Sequence, residues 1–314
     1  MLLAVLGTLA GLAVLTVAAD LFVIGAVRLA ARWRLSTVVV GAVVIGFGTS
    51  APEMVVSGLA AGQGSLDLAV GNIVGSNVAN LSLVLGAAAL ITPVLVRSRV
   101  LRREAPLSLL LVVAFGITVQ GGLSVGEGVV LSALLVAALG LIMWSARSGD
   151  PAMDQGVSDY LPDVGTSVLR ELFRTLLGLL GTLGGAQLLV ASATQVATLL
   201  GLAESFIGLT IVAIGTSLPE LATSVAAARK RETDLIVGNL LGSNIFNAGA
   251  VGAVAAFAGA GQVADRSITT IGVAFMVVLA VLATGFMVSG RRVVRWEGVG
   301  LLVLYAATVP LLFG

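Results

Sequence analysis

The chain contains no cysteine and no histidine among its 314 residues. It therefore has no disulfide, no thiol nucleophile, no Cys/His metal site and no imidazole for acid–base chemistry. Charged residues are also scarce, at 11% of the sequence, whereas an ordinary soluble domain has about a quarter. The first 20 residues lack the basic segment of a signal peptide and their apolar run continues past Asp20, so we interpret them as a retained first helix.

Apolar residues make up 58% of the chain, in runs long enough to cross a bilayer. The runs are continuously apolar and do not alternate, which excludes a β-barrel pattern and indicates an all-α polytopic membrane protein. Ten spans are predicted, over residues 3–31, 36–60, 67–92, 104–120, 125–146, 168–199, 204–228, 234–259, 268–290 and 295–313.

The basic residues orient these spans. All but one of the 17 fall at the connections after the first, third, fifth, seventh and ninth spans, the exception being Arg266. Such a bias predicts that these connections are cytoplasmic and that both termini lie outside, in the plasma (inner) membrane. The three tryptophans fall at cytoplasmic span ends, as interfacial anchors do; they are Trp33, Trp144 and Trp296.

One longer connection, residues 147–167, is predicted to be a cytoplasmic acidic linker. It contains four aspartates with proline and glycine. The alternative is a regulatory cation site, although the spacing matches no calcium-binding loop.

The chain repeats itself at an offset of 167 residues. GFGTSAPEMVVS, residues 46–57, returns as AIGTSLPELATS, residues 213–224, and GNIVGSNVAN, residues 71–80, returns as GNLLGSNIFN, residues 238–247. Over 61 aligned positions, 23 residues are identical. Low complexity can match alanine and leucine by chance, but it does not match Pro-Glu and Gly-Ser-Asn at fixed spacing.

Each copy holds five predicted spans, residues 1–146 and 168–314. Five is odd, so the second copy enters the membrane from the opposite side. We therefore predict ten transmembrane helices in two inverted-topology five-helix repeats. Such repeats are typical of alternating-access transporters, whose substrate site lies near the bilayer midplane between the repeats.

The first motif combines a carboxylate with a helix break. Thr49 and Glu53 are four residues apart and share one helical face, with Ser50 beside them. Pro52 has no N–H to donate and clashes with the carbonyl of Gly48, so backbone carbonyls around Gly46–Gly48 are predicted to be free within the membrane. A carboxylate at this depth costs several kcal/mol, on the order of 3 or more, without a partner.

The second motif and the two GSN segments complete an all-oxygen set of carboxylates, carboxamides, hydroxyls and carbonyls. Hard cations such as Ca²⁺ and Na⁺ prefer these ligands. The further candidates are Thr216, Ser217, Glu220, the carbonyl of Ala213, Ser76, Asn80, Ser243 and Asn247.

A purely structural role stays open for some of the polar residues. An intramembrane serine or threonine can bond back to its own helix, and asparagines can bridge helices. We expect helix capping or bridging from Asn72, Asn77, Asn239 and Asn244. Asp20 has no acidic counterpart in the second repeat, so we expect it to bond to a neighbouring helix and leave it out of the site.

The paired GTSAPE/GTSLPE and GNxxGSN motifs resemble the repeats of the sodium/calcium exchanger family, within the cation/Ca²⁺ antiporter superfamily. The resemblance implies that Glu53 and Glu220 are central carboxylates shared by Ca²⁺ and Na⁺. It implies that the threonines, serines, asparagines and carbonyls named above line the same cavity. It also implies that the first and sixth spans slide against a compact core.

The resemblance further implies a Na⁺/Ca²⁺ antiporter that works in the direction of Ca²⁺ export, with the ions as substrates and no cofactor. Some family members have aspartate where this chain has Asn247, which disfavours K⁺ dependence here. The proton/calcium branch has a different sequence around the glutamate, which disfavours H⁺ coupling.

Alternatives remain: an antiporter coupled to H⁺ or carrying Mg²⁺ or Mn²⁺, and more remotely a channel or an intramembrane enzyme using the glutamates as an acid–base pair. We expect no enzymatic activity and no nucleic-acid partner. A monomer in a lipid bilayer is sufficient for the predicted site, and the sequence does not give the oligomeric state.

Overall fold

The computed structural model describes residues 1–33, 35–146, 167–200 and 213–313, and almost all of them are helical. The predicted acidic linker falls almost entirely outside the described residues. The helices are α1 (Leu2–Trp33), α2 (Thr37–Thr49), α3 (Ala51–Gly62), α4 (Leu66–Ile91), α5 (Ser98–Arg102), α6 (Glu104–Thr118), α7 (Val125–Ala146), α8 (Val168–Leu199), α9 (Ala213–Gly215), α10 (Leu218–Arg229), α11 (Thr233–Ala258), α12 (Ile268–Gly290) and α13 (Arg295–Phe313).

The prediction of a helical membrane protein is confirmed. Within the described ranges, seven helices are long and apolar enough to cross a membrane, and α2 with α3 forms an eighth span bent by 42°. The tenth predicted span coincides with α13, and the second half of the seventh coincides with α9 and α10. Residues 201–212 are not described, so the count of ten is consistent with the structure without being fixed by it.

Two short strands form a small sheet in the otherwise largely helical described part of the chain. Val94–Leu95 (β1) pairs antiparallel with Arg292–Val293 (β2). These strands follow α4 and precede α13, and they tie together the connections at one end of the helix bundle.

The two longest helices, α1 and α8, pack against each other along their length. They run antiparallel, because residues near the start of one lie against residues near the end of the other. The close approaches are Gly7 to Ser192, Gly11 to Leu189, Leu15 to Gly185, Phe22 to Gly178 and Gly25 to Thr175. Glycines let helix backbones approach closely where lipid supplies no hydrophobic driving force.

Ion pairs close one end of this helix pair. The buried carboxylate of Glu171 on α8 contacts Arg28 of α1 at 3.3 Å and Arg174 of its own helix at 2.6 Å. One carboxylate shared by two guanidinium groups is satisfied on both oxygens, so its burial is compensated.

A second close crossing joins the repeats at the centre of the molecule. A Cβ atom on Gly41 of α2 would lie 2.7 Å from the Leu235 carbonyl oxygen, and one on Gly46 would lie 2.9 Å from the Ser243 amide nitrogen. On the other side, a Cβ on Gly242 of α11 would collide with the backbone of Ala42. The glycine-containing motif of one repeat therefore packs directly on the GSN segment of the other.

The repeat seen in the sequence recurs as local geometry. Gly64 and its counterpart Arg231 both adopt the left-handed conformation, with φ of 81° and 59°. A turn of π-helix begins at Asn80 in α4 and at the equivalent Asn247 in α11. Such turns commonly occur at functional sites.

Gly242→Ala tests the central crossing. The added methyl group has no space against Ala42, and overpacking of this kind costs about 1–3 kcal/mol. We expect a lower melting temperature for the purified protein in detergent. Gly140→Ala is the matched control, because nothing lies within 4 Å of its Cβ position. Equal melting temperatures for the two variants would contradict the crossing.

Candidate cation site

The helix that carries the first motif is interrupted beside Pro52, as the sequence predicts. The Ser50 amide still donates to the Gly46 carbonyl at 3.1 Å, and the ladder resumes with Met54 donating to Ser50 at 3.2 Å. Between these bonds, Pro52 has no N–H for the carbonyl of Gly48.

The prediction of a free carbonyl at Gly46 is therefore wrong in part. That oxygen accepts one bond from the Ser50 amide, because Pro52 removes only the donor to the Gly48 carbonyl. A carbonyl oxygen has two lone pairs, so Gly46 keeps one position for a cation.

The second motif breaks at the equivalent place. The Ser217 amide donates to Ile214, only three residues back, at 3.1 Å, and a new helix begins at Leu218. Pro219 leaves the Gly215 carbonyl without the usual helical donor. Ala213 opens the short helix α9, which packs against the first half of α4.

The two glutamates are the central feature of the site. Glu53 is 1% exposed and Glu220 is fully buried, and the two carboxyl groups are close enough to interact electrostatically. Neither oxygen of Glu53 has a hydrogen-bond partner, and Glu220 receives one weak bond, 3.5 Å from the Ser50 hydroxyl. Among the described residues, neither glutamate forms an ion pair. Two buried acidic groups in this arrangement require a cation or protons.

Hydroxyl groups of the first motif reach the second repeat. The Thr49 hydroxyl donates to the Ile45 carbonyl at 2.9 Å and lies 3.4 Å from both the Asn239 side-chain oxygen and the Ser243 hydroxyl. Because the Ser50 hydroxyl also contacts Glu220, candidate ligands from both repeats lie in one cluster.

The two π-turns, which begin at Asn80 and Asn247, also contact the opposite repeat. Asn80 is buried and donates to the Asn244 side-chain oxygen at 3.1 Å. The turn that starts at Asn80 packs on α10, the helix of Glu220, and the turn that starts at Asn247 packs on α3, the helix of Glu53. Each asparagine segment thus faces the glutamate helix of the other repeat.

Several candidates present buried polar atoms with no hydrogen-bond partner in the described part of the chain. These atoms are Ser76 Oγ, Asn80 Oδ1, Ser217 Oγ, and both Oδ1 and Nδ2 of Asn247. Buried polar atoms are nearly always satisfied in folded proteins. Their concentration in the segments that pack against the helices of the two glutamates indicates a binding site for a polar ligand. Thr216 is half-buried and forms no hydrogen bond with another described side chain.

Asn72 and Asn239 bridge helices as predicted, whereas Asn77 does not within the described part of the chain. Asn72 donates to Ser57 at 3.0 Å, and its counterpart Asn239 donates to Ser224 at 3.1 Å. Asn77 bonds back to Ile73 in its own helix at 2.7 Å.

Two of the four asparagines expected to cap or bridge helices also have polar atoms without a hydrogen-bond partner in the described ranges. The side-chain oxygen of Asn77 and the side-chain nitrogen of Asn244 have no partner in the described ranges. Sequence reasoning kept both outside the site, although their place in the duplicated GSN segment was a signal that they adjoin it.

The arrangement suits a hard cation. Two carboxylates carry enough negative charge to neutralise one divalent ion or two monovalent ions. Hydroxyl, carboxamide and carbonyl oxygens from both repeats are of the kind that could serve as the remaining ligands. Soft metals are not favoured, since the chain has no cysteine or histidine.

Comparison with known proteins agrees with this chemistry. A family model described as sodium/calcium exchanger protein matches residues 3–144 and 171–314. The putative antiporter CaxA of Alkalimonas amylolytica is 38% identical over 323 residues, covering 100% of this chain and 99% of CaxA. The sodium/calcium exchanger MaX1 of Methanosarcina acetivorans is 29% identical and covers 97% of each chain. A structure of the sodium-calcium exchanger NCX_Mj superposes with a TM-score of 0.86 at 32% identity, covering 99% of both chains.

Glu53→Gln and Glu220→Gln test the site. Each removes one of two carboxylates, and cation affinity depends on the ligand charge. We expect each variant to fold and to bind ⁴⁵Ca²⁺ at least about 100-fold more weakly, roughly 2.7 kcal/mol, in equilibrium binding to purified protein.

Glu127→Gln is the matched control for this experiment. Glu127 caps the start of α7 through the Ser124 amide, a role that glutamine also fills. Normal Ca²⁺ binding by either site variant would refute the assignment.

Proposed function

The chain belongs to the sodium/calcium exchanger family, and on that premise we propose that it is a secondary antiporter exchanging Na⁺ for Ca²⁺ by alternating access. The observation that carries the proposal is the pair of buried glutamates that have no ionic partner among the described residues, together with buried oxygen atoms from both repeats that have no hydrogen-bond partner there. The ions are substrates, and the exchange needs no cofactor and involves no enzymatic step.

We assign the cation ligands to both repeats. Glu53 and Glu220 bind Ca²⁺ and share the Na⁺ that replaces it. Thr49, Ser50, Thr216 and Ser217, with the carbonyls of Gly46 and Ala213, flank the carboxylates. Ser76, Asn80, Ser243 and Asn247 line the same cavity and complete the shells of the monovalent ions.

Burial of the site supports a carrier rather than a channel. Both glutamates are sealed from solvent in this conformation. An ion at this position cannot pass in either direction without a rearrangement. Structures of NCX_Mj concern extracellular ion exchange and induced occlusion of its binding site, which is the behaviour proposed here.

The moving part of the transporter is the α1/α8 pair. The glycines of these two helices bring their backbones into close contact. The proposed site lies on other helices, namely α2, α3, α4, α10 and α11. Sliding of the pair across the fixed core would expose the glutamates first to one side and then to the other.

Ion selectivity follows from the asparagines. Asn80 and Asn247 are neutral, so the glutamates are the only acidic groups proposed for the cavity. A site with these two carboxylates has no further acid to bind K⁺, which disfavours K⁺ coupling, and the sequence around the glutamates disfavours H⁺ coupling. Oxygen chemistry alone does not separate Ca²⁺ from Mg²⁺ or Mn²⁺, and competition experiments decide between them.

We place the protein in the plasma (inner) membrane, with both termini outside and the 147–167 linker in the cytoplasm. In that orientation an inward Na⁺ gradient drives Ca²⁺ export. The two five-helix repeats, residues 1–146 and 168–314, are the functional halves, and one chain contains the whole site.

Reconstitution in proteoliposomes tests the exchange. With Na⁺ inside and none outside, we expect ⁴⁵Ca²⁺ to accumulate, because Na⁺ leaving through the shared site drives Ca²⁺ entry. The uptake should saturate with Ca²⁺ and vanish in Glu53→Gln and Glu220→Gln. Replacing the Na⁺ gradient by a K⁺ or H⁺ gradient is the control.

Uptake that ignores the Na⁺ gradient would overturn the coupling. Flux that does not saturate and needs no counter-ion would indicate a channel. Uptake driven by the H⁺ gradient, or inhibited more strongly by Mn²⁺ or Mg²⁺ than by unlabelled Ca²⁺, would indicate the alternative antiporters.

Single-cysteine labelling tests the orientation. The chain has no native cysteine, so an introduced thiol is the sole target. In intact cells we expect a membrane-impermeant maleimide to label Gln262→Cys, between α11 and α12, but not Arg295→Cys at the start of α13; both positions are exposed. The reverse labelling pattern would invert the topology.

A further inference from the structure

An ion pair links the α1/α8 pair to the core. Asp20, near the middle of α1, lies 3.1 Å from the ammonium group of Lys230, the residue that follows α10. Lys230 belongs to the connection that the basic-residue bias places in the cytoplasm. The contact therefore holds α1 against the cytoplasmic end of the helix that carries Glu220.

The surrounding packing is loose where α1 meets α10. A cavity of about 220 Å³ lies between α1, α8 and α10. Its lining is largely apolar, from residues such as Leu12, Leu15 and Ala222, with Asp20 and Arg229 as its charged groups. This contrasts with the glycine-tight contact of α1 with α8. The interface that must shift during transport is thus poorly packed, and an ion pair spans it.

The ion pair has no equivalent in the other half of the repeat. At the offset of 167 residues, Asp20 corresponds to Gln187 and Lys230 corresponds to Gln63. Both glutamines are exposed, and they form no hydrogen bond with each other in the described structure. Inverted symmetry would place a matching contact between α8 and the end of α3, on the opposite side of the membrane. The two residues at those positions, Gln187 and Gln63, carry no charge.

Outward-facing and inward-facing states of an inverted-repeat transporter exchange the roles of the two repeats. A contact present in both repeats stabilises both states equally, and a contact present in one repeat shifts the balance. We propose that Asp20 and Lys230 are positioning residues that bias this transporter towards the conformation described here, with the cytoplasmic route along α10 closed by α1. The inference rests on the alternating-access function proposed above.

The size of the bias follows from the setting of the pair. Both side chains are partly exposed, and ion pairs of that kind change an equilibrium by about two- to fivefold. A bias of this size tunes the resting conformation without locking it, so exchange continues in its absence.

The test uses a thiol at Ala222, which lines the cavity on α10 and faces α1. In the Ala222→Cys background, the rate of modification by a membrane-impermeant methanethiosulfonate added from the cytoplasmic side reports how often α1 leaves α10. We expect Asp20→Asn and Lys230→Gln each to raise that rate about two- to fivefold. The charge-swapped double variant Asp20→Lys with Lys230→Asp should return it to the parent value.

The mirrored variant supplies a test that leaves the native pair intact. Gln187→Asp together with Gln63→Lys builds the missing contact on the other side, so it should favour the opposite state and raise the rate. It also keeps the proposal falsifiable if the single variants do not fold. Unchanged rates in the folded single variants, no restoration by the swap, or no effect of the mirrored pair would overturn the inference.

Flux measured on the same proteoliposomes separates this inference from the function it rests on. If the parent exchanges Na⁺ for Ca²⁺ but the thiol rates do not respond to charge, the bias is wrong and the function stands. If the rates respond as expected but the parent shows no Na⁺-dependent uptake, the conformational role stands and the exchange assignment fails.

Discussion

Burial of Glu53 and Glu220 is the constraint on which the rest of the structure depends. Neither has an ion-pair partner in the described ranges, and both are sealed from solvent in an apolar chain. Uncompensated charges at this depth cost several kcal/mol, on the order of 3 or more. Helix breaks at Pro52 and Pro219, π-turns at the asparagines and hydroxyls without partners in the described part of the chain come from both repeats, and we propose that they supply the oxygens that a cation needs.

The duplication explains why one site needs the entire chain. Neither repeat is complete alone, because Thr49 and Ser50 of the first reach Ser243 and Glu220 of the second. The glycines of α2 and α11 permit that contact by bringing the two backbones together. In the proposed mechanism, a site at the boundary of two inverted halves opens to either side when the α1/α8 pair moves. The same symmetry makes departures from it informative, and the Asp20–Lys230 pair is such a departure.

Much of this was predictable from the sequence, for identifiable reasons. Spans are set by apolar length, so the predicted ends of the first helix, 3–31, lie close to the observed Leu2–Trp33. The repeat identified the glutamates and asparagines as candidate ligands, because chance does not duplicate polar residues at fixed spacing. The partners across the repeat boundary were not predictable: the Ser50–Glu220 and Asn80–Asn244 contacts depend on the crossing of α2 with α11, a tertiary property. The Gly46 carbonyl was mispredicted because proline removes its own N–H but leaves the Ser50 amide free to bond.

Anomalous X-ray diffraction from crystals soaked in Sr²⁺, a heavier analogue of Ca²⁺, tests the central claim most directly. The account predicts an anomalous peak between the repeats, about 2.3–2.7 Å from carboxylate oxygens of both Glu53 and Glu220, that disappears at high Na⁺. A peak bound by one repeat alone, or a divalent ion bound elsewhere with this cavity empty, would contradict it.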